Sequence, residues 1–271
     1  MDVWLNGKFV PLQNAQLSAF DAGIQHSIGL FETMLAANGQ VFRAQHHMDR
    51  LARSARELGL SDRLRIHPLI RALHLALEHN KLTDARVRLT ITAGDTRALL
   101  PNQSKSPDPT ILISTQPPTT YPDAFFTAGV PVVISQDREN PFSMLAGHKT
   151  LSYWPRIRAL QLAARSQAAE SLWFSLSGHI VSGSVSNVFV IRNNHLLMPF
   201  ARTDQLPNTA IAPALPGITR QVIIELAREL ELPFRCELLT GDDLLSADEV
   251  FLTNSSWGVL PVIRVHDKSI A

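Results

Sequence analysis

Between residues 101 and 122 the chain carries six of its seventeen prolines, at 101, 107, 109, 117, 118 and 122, broken only by Thr110-Ile111-Leu112-Ile113-Ser114. Proline fixes φ and has no backbone N–H, so this stretch admits one short strand and no helix. The chain is therefore divided. A first domain is expected over 1–118, a linker over 119–128 and a larger second domain over 129–271. With 45% apolar and only 18% charged residues, the 271-residue chain must bury much of its length, which excludes global disorder.

The first part opens with Val3-Trp4-Leu5-Asn6-Gly7-Lys8-Phe9-Val10, and Ala37-Asn38-Gly39-Gln40-Val41-Phe42 repeats the pattern. Asn-Gly between β-rich runs signals a tight hairpin in both places. From Gln45 to Leu60, Met48, Leu51, Ala52, Ala55 and Leu58 recur at helical spacing while Asp49, Arg53 and Glu57 point elsewhere, and Gly59 is a stop. A second helix is expected near Pro68, burying Leu69, Ile70, Leu73, Ala76 and Leu77. Arg86–Thr92 alternates, with Val87, Leu89 and Ile91 on one face and Arg88, Thr90 and Thr92 on the other, as a half-buried strand does.

In the second part the pattern predicts strands over 130–135, 171–176, 186–191, 234–238 and 249–253, and helices over 151–169 and 218–230. Many short strands and few helices fit an α+β or barrel-like domain better than a regular βαβ array. Residues 202–216, with three prolines and little periodicity, read as a long loop.

A formal charge of +1 gives no whole-chain electrostatic case for a nucleic-acid or anionic-membrane partner. No stretch approaches the roughly 18 apolar residues that span a bilayer, and the first residues lack the basic and apolar regions of a signal peptide, so a cytoplasmic protein is expected. Cys236 is alone and sits in an alternating run, which makes it a packing residue and excludes an intramolecular disulfide. Ten histidines raise the question of metal, but His46-His47 diverge on a helix and His74 and His79 do not share a face, so no metal site is expected. Ser177-Gly178 and Ser182-Gly183-Ser184 do not form a Gly-x-Ser-x-Gly elbow, and the acids give no paired-carboxylate constellation.

Three local features carry possible chemistry. Ala214-Leu215-Pro216-Gly217-Ile218-Thr219-Arg220 enters a helix with Val222, Ile223, Leu226, Ala227 and Leu230 as its apolar face. Free N–H groups, the helix dipole and the Thr219 hydroxyl suit a phosphate there, though taken alone the stretch is better explained by ordinary helix-start chemistry. Lys149, in Gly147-His148-Lys149-Thr150-Leu151-Ser152-Tyr153, is a lone lysine in a mostly uncharged stretch, open to Schiff-base chemistry or to a plain loop role. Gly183-Ser184-Val185-Ser186-Asn187-Val188-Phe189-Val190 places small polar residues before an apolar strand, which a simple turn also requires.

Taken in order, these features resemble the fold-type IV pyridoxal-phosphate enzymes, the class-IV aminotransferase family. The blocks are Phe20-Asp21-Ala22-Gly23-Ile24-Gln25-His26-Ser27-Ile28-Gly29-Leu30-Phe31-Glu32-Thr33-Met34, His47-Met48-Asp49-Arg50-Leu51, residues 149–153, Ser186-Asn187-Val188-Phe189, residues 216–220 and Phe251-Leu252-Thr253-Asn254-Ser255-Ser256-Trp257-Gly258-Val259-Leu260-Pro261-Val262. The resemblance runs over residues 3–264. It implies two domains, a small N-terminal α/β sandwich and a larger C-terminal domain with a barrel-like sheet, with pyridoxal 5′-phosphate in the cleft between them. It also implies a homodimer acting on a small amino substrate.

Carried over position by position, the resemblance makes Lys149 the Schiff-base lysine that afterwards shuttles the substrate α-proton. Arg50 would hold the cofactor phosphate, with Gly217, Ile218, Thr219, Thr253 and Asn254, and Asn187 would support that side of the site. Tyr153 would stand beside the phenolic oxygen, and His26 and Phe31 on the substrate side. Two departures matter. Many members have Tyr-Gly-Asp where this chain has His26-Ser27-Ile28, and most place a glutamate on the pyridine nitrogen where this chain has Ser182, five residues before Asn187. A hydroxyl cannot hold a pyridinium as an ion pair, so the resemblance implies a weaker electron sink.

The closing 253–262 block and the chain length look more like the aminodeoxychorismate lyases than the branched-chain aminotransferases, which tend to carry Thr-Gly-Thr-Ala there. The resemblance thus implies elimination of pyruvate from 4-amino-4-deoxychorismate to give 4-aminobenzoate, a step of folate synthesis. Branched-chain or D-amino-acid transamination is the alternative, and a non-catalytic relative, because of Ser182, is the third.

Overall fold

The computed structural model describes residues 1–99, 108–206 and 212–270, so the prolines at 101, 107 and 207 lie outside it. The chain forms two compact units, one of Met1–Thr119 with His148–Ser152 and one of Thr120–Gly147 with Tyr153–Ala271. Residues 148–152, expected within 129–271, thus group with the first unit, and backbone pairing is the reason. Phe31 N donates to Lys149 O at 3.0 Å, Leu151 N donates to Gly29 O at 2.9 Å, and Leu30 bridges Thr150.

The first unit comprises β1 (Asp2–Leu5), β2 (Lys8–Pro11), α1 (Ala22–His26), β3 (Gly29–Ala37), β4 (Gln40–Val41), α2 (Ala44–Glu57), α3 (Ile66–His79), β5 (Ala85–Thr92) and β6 (Thr110–Gln116). Its strands form an antiparallel sheet in the order β2-β1-β6-β5-β3-β4. Both Asn-Gly pairs make the expected hairpins, with positive φ at Asn6, Gly7, Asn38 and Gly39. Val87, Leu89 and Ile91 of β5 are fully buried in one core with Leu30 and Met34 of β3 and with Leu51, Leu73 and Leu77 of α2 and α3. Each such side chain contributes about 1.5–3 kcal/mol of burial free energy.

Period two then fixes the opposite face: Phe31 of β3 and Arg88 and Thr90 of β5 point away from the two helices. Helix α2 ends at Glu57, three residues short of the expected end, and its buried stripe contains His47, Arg50 and Ser54 besides the apolar residues. The expected stripe was purely apolar. The difference arises because Glu32 shares the core face of β3 with Leu30 and Met34, and a buried carboxylate must be met by polar partners.

The second unit comprises α4 (Ala124–Thr127), β7 (Val130–Glu139), α5 (Trp154–Arg165), β8 (Glu170–Ser175), β9 (Ile180–Gly183), β10 (Asn187–Arg192), β11 (His195–Met198), α6 (Ile218–Glu229), β12 (Phe234–Cys236), α7 (Gly241–Leu245), β13 (Glu249–Asn254), β14 (Gly258–Val265) and β15 (Lys268–Ser269). The strands form one curled mixed sheet, β12-β11-β10-β13-β14-β7-β8-β9, with β15 on β14. Part of the expected linker is therefore the helical turn α4, whose Phe125 packs on the core of this sheet.

Helix α5 starts at Trp154 instead of Leu151, because residues 149–151 are extended against β3 and Pro155 occupies the first turn. Strands β9, β11, β14 and β15 were not expected. The apolar face of α6 also differs: Ile223, Ile224 and Ala227 meet the sheet, whereas Leu226 and Leu230 are 44% and 76% exposed. Of the expected loop 202–216, residues 207–211 lie outside the described residues.

Candidate active site

In the first unit, Lys149 is carried by an extended segment rather than a helix. The two backbone hydrogen bonds to β3 hold it, and Gly29 allows the close approach, since an added Cβ there would lie 2.5 Å from Ile91 O and 2.6 Å from Leu151 Cδ1. Lys149 Nζ stands 4.3 Å from the centroid of the Phe31 ring, and the Arg88 guanidinium carbon stands 3.9 Å from the same centroid. The ring attracts both groups, so a lysine amine and an arginine are held close to one aromatic ring. Arg88 was not among the expected site residues, although its place on the polar side of β5 was legible.

Arg50 makes a buried fork with Glu32, Nε to Oε1 at 2.9 Å and Nη2 to Oε2 at 2.5 Å, and His47 Nδ1 lies 2.8 Å from Oε2. Burial alone would raise the Glu32 carboxyl, but the Arg50 charge and the His47 hydrogen bond hold it at about 2. Burial likewise pushes His47 below the usual imidazole range, against the pull of Glu32, which favours its neutral form. The arginine expected at the phosphate is thus already oriented by a carboxylate. His26, at the end of α1, is exposed.

In the second unit, Asn187 and Thr253 are paired residues at the ends of β10 and β13. The Asn187 amide donates through Nδ2 to Leu215 O at 2.9 Å, shaping the turn into α6. Gly217 caps that helix without any side-chain hydrogen bond, and a Cβ at 217 would overlap the Asn187 amide oxygen. The first N–H groups of α6, at Ile218 and Thr219, are therefore left without a capping side chain, which is the arrangement that binds an anion. The Thr253 hydroxyl is 1% exposed and has no hydrogen-bond partner among the described residues. A buried, unpartnered hydroxyl is costly unless a ligand meets it. Asn254, by contrast, accepts through Oδ1 from Ser256 N and Trp257 N in the β13–β14 turn and donates through Nδ2 to Val185 O.

Tyr153 and Ser182 meet through one network. Tyr153 Oη donates to Ser184 O at 2.9 Å, and Arg156 Nη1 donates to Ser182 Oγ at 3.1 Å and to Gly183 O at 2.9 Å. Glu170, fully buried nearby, accepts from Ser171 N, Ser184 N, Val185 N and Ser186 Oγ. Burial raises its pKa despite those bonds. Arg156 and Glu170 were missed at the sequence level because an arginine in a first helical turn and a glutamate opening a strand are ordinary there.

The second unit offers the paired polar ends of β10 and β13 and the uncapped start of α6, features suited to an anion, and the first unit offers a lysine beside an aromatic ring. The chain belongs to the amino-transferase class IV family, whose model matches residues 29–265. Enzymes of this class use pyridoxal 5′-phosphate, and so does this chain. It is 31% identical over 272 residues, covering 100% of itself and 90% of the relative, to a Methanocaldococcus jannaschii protein whose name, branched-chain-amino-acid aminotransferase, is itself provisional. It is 27% identical to the aminodeoxychorismate lyase of Bacillus subtilis, over 98% of this chain and 87% of the relative. Its structure is similar to that of Escherichia coli branched-chain amino acid aminotransferase, with a TM-score of 0.89 at 26% identity, covering 100% of this chain and 88% of the other.

Each unit by itself offers groups that suit such a cofactor: in the second, the Thr253 hydroxyl and the uncapped start of α6 suit a phosphate, and in the first, Lys149 has the amine that an aldehyde requires. Cys236 has no such role. Burial pushes its thiol up to about 11, beside Arg220 and Asp204. Among the described residues no group of His, Cys, Asp and Glu could hold a metal ion, and no helix is long and apolar enough to cross a membrane.

Proposed function

We propose that the chain is a pyridoxal-phosphate lyase of the aminodeoxychorismate type, which releases pyruvate from 4-amino-4-deoxychorismate to leave 4-aminobenzoate. The observation that carries this reading is Ser182. Ser182 is 4% exposed, its hydroxyl is bonded to Arg156, and by the family resemblance it takes the position of a carboxylate on the pyridine nitrogen. When bound, the cofactor supplies the aldehyde that joins the substrate amine and draws electrons from the carbon bearing it. A hydroxyl weakens that withdrawal, and a reaction whose product becomes aromatic depends on it less than transamination does.

Lys149 is the residue that anchors the aldehyde, takes the proton from the nitrogen-bearing carbon and passes it to the enolpyruvate that leaves as the neighbouring ring C–O bond breaks, which gives pyruvate and the aromatic product. Thr219, Thr253 and the first N–H groups of α6 hold the phosphate, and Gly217 and Asn187 shape that turn. Arg88, which lies near the Phe31 ring and donates through Nε to Thr90 Oγ1 at 3.3 Å, brings a positive charge that suits a substrate carboxylate. The assay is direct: with 4-amino-4-deoxychorismate and no oxo acid, the account expects pyruvate and 4-aminobenzoate in equal amounts. Oxo-acid-dependent consumption of branched-chain or D-amino acids in place of that result would favour the aminotransferase reading, which the likeness to named aminotransferases supports. Bound cofactor with neither activity would favour a non-catalytic relative. We further propose a cytoplasmic homodimer, to which the exposed Phe20, Ile24 and Ile28 of the first unit offer an apolar face.

A further inference from the structure

Ser182 is not a bare substitute for a carboxylate, because its partner is an arginine. Arg156 Nη1 donates to Ser182 Oγ at 3.1 Å, to Gly183 O at 2.9 Å and, at 3.4 Å, to Ser184 O, while Nη2 donates to Glu139 Oε2 at 2.7 Å. The guanidinium also lies over the Trp173 ring, 4.9 Å from its centroid. Salt bridge, ring and two carbonyls leave it little freedom. Guanidinium can only donate, so it occupies an acceptor site of Ser182 and turns the serine's own hydrogen away from itself. Among the described residues no acceptor for that hydrogen appears. Ser182 therefore presents an O–H donor.

We infer that Arg156 fixes Ser182 as a hydrogen-bond donor and thereby keeps the cofactor's pyridine nitrogen unprotonated. The inference rests on the reading above, in which Ser182 faces that nitrogen. A ring nitrogen with a free lone pair accepts from a hydroxyl, whereas a pyridinium has no lone pair to offer. The nearest charge to Ser182 in the network is positive, and a like charge disfavours protonation. The network's two carboxylates do not reverse this. Glu139 binds the far amino group of Arg156, and among the described residues Glu170 accepts from residues 171 and 184–186. Arg156 is a positioning residue: it acts through the hydroxyl it holds and through its charge.

The test is the ring-nitrogen 15N shift of labelled cofactor bound to the holoenzyme, followed against pH, with borohydride trapping run beside it. The wild type is expected in the range of neutral pyridine at pH 7. Arg156→Gln should raise the apparent pKa of the signal by about 1 unit or more, the size of a removed like charge. Arg156→Lys, which keeps donor and charge, should stay near the wild type. Ser182→Glu combined with Arg156→Gln should move the signal to the range of pyridinium at pH 7. A purely structural arginine would change cofactor retention without moving the titration. A wild-type signal in the pyridinium range, or an Arg156→Gln titration that superimposes on the wild type, overturns the inference while trapped cofactor upholds the site. If borohydride traps no cofactor in the wild type, the underlying reading fails first.

Discussion

Replacing Glu32 by Gln removes a charge from the interior of the first unit while keeping the side chain's shape. Glu32 is 1% exposed, and its carboxyl is held at about 2 in place of 4.5. A depression of about 2.5 units corresponds to roughly 3 kcal/mol of folding free energy at neutral pH. Because the folded value is the depressed one, this contribution is complete above the unfolded carboxyl's pKa and is lost as pH falls through about 2. At pH 3 about half of it remains. That figure already contains what Arg50, 7% exposed, loses with the Glu32 charge, because the Arg50 attraction is one of the causes of the depression. Urea unfolding of the two proteins should thus differ by about 3 kcal/mol at pH 7, and by about half of that at pH 3. A difference under about 1 kcal/mol at pH 7, the range of an exposed ion pair, would refute the reasoning, and so would one that stays constant between pH 5 and about pH 3.

Other consequences follow from single groups. Thr253→Val removes the unpartnered buried hydroxyl, so the cofactor-free protein should unfold at the same or higher urea while the cofactor Kd rises about tenfold or more, the worth of a hydrogen bond to a charged group. Gly217→Ala forces the Asn187 amide off Leu215 O, and equilibrium dialysis should show cofactor retention falling together with a destabilisation of about 1–3 kcal/mol. Cys236, with its thiol held at about 11, should resist thiol reagents at pH 8 in the native protein and react on unfolding; rapid native labelling would contradict its burial.

Where one side chain pattern answers one environment, the sequence was readable. The alternation of Arg86–Thr92 marked both faces of β5, and the two Asn-Gly pairs marked their hairpins. Helix α2 was legible in its apolar positions but not in His47 and Arg50, because a buried polar residue is explained only by its partner, here Glu32 on another element. The late start of α5 could not be foreseen for the same reason: residues 149–151 pair with β3 across more than a hundred residues. Strand β14 escaped because Pro261 interrupts its pattern, and Leu226 and Leu230 gave α6 an apolar look on a side that stays exposed. Of the site, the lysine, the glycine turn and the threonines stood out as blocks, whereas Arg156 became visible only when β9 brought Ser182 to it.

The central claim is that Lys149 carries the cofactor, and borohydride reduction of the purified holoenzyme followed by peptide mass mapping tests it most directly. The account predicts a loss of visible absorption and one phosphopyridoxyl group on the peptide containing Lys149, with Lys149→Ala taking up no reducible cofactor while keeping its far-ultraviolet circular dichroism. A phosphopyridoxyl group on a different lysine, or one still trapped in Lys149→Ala, would contradict it.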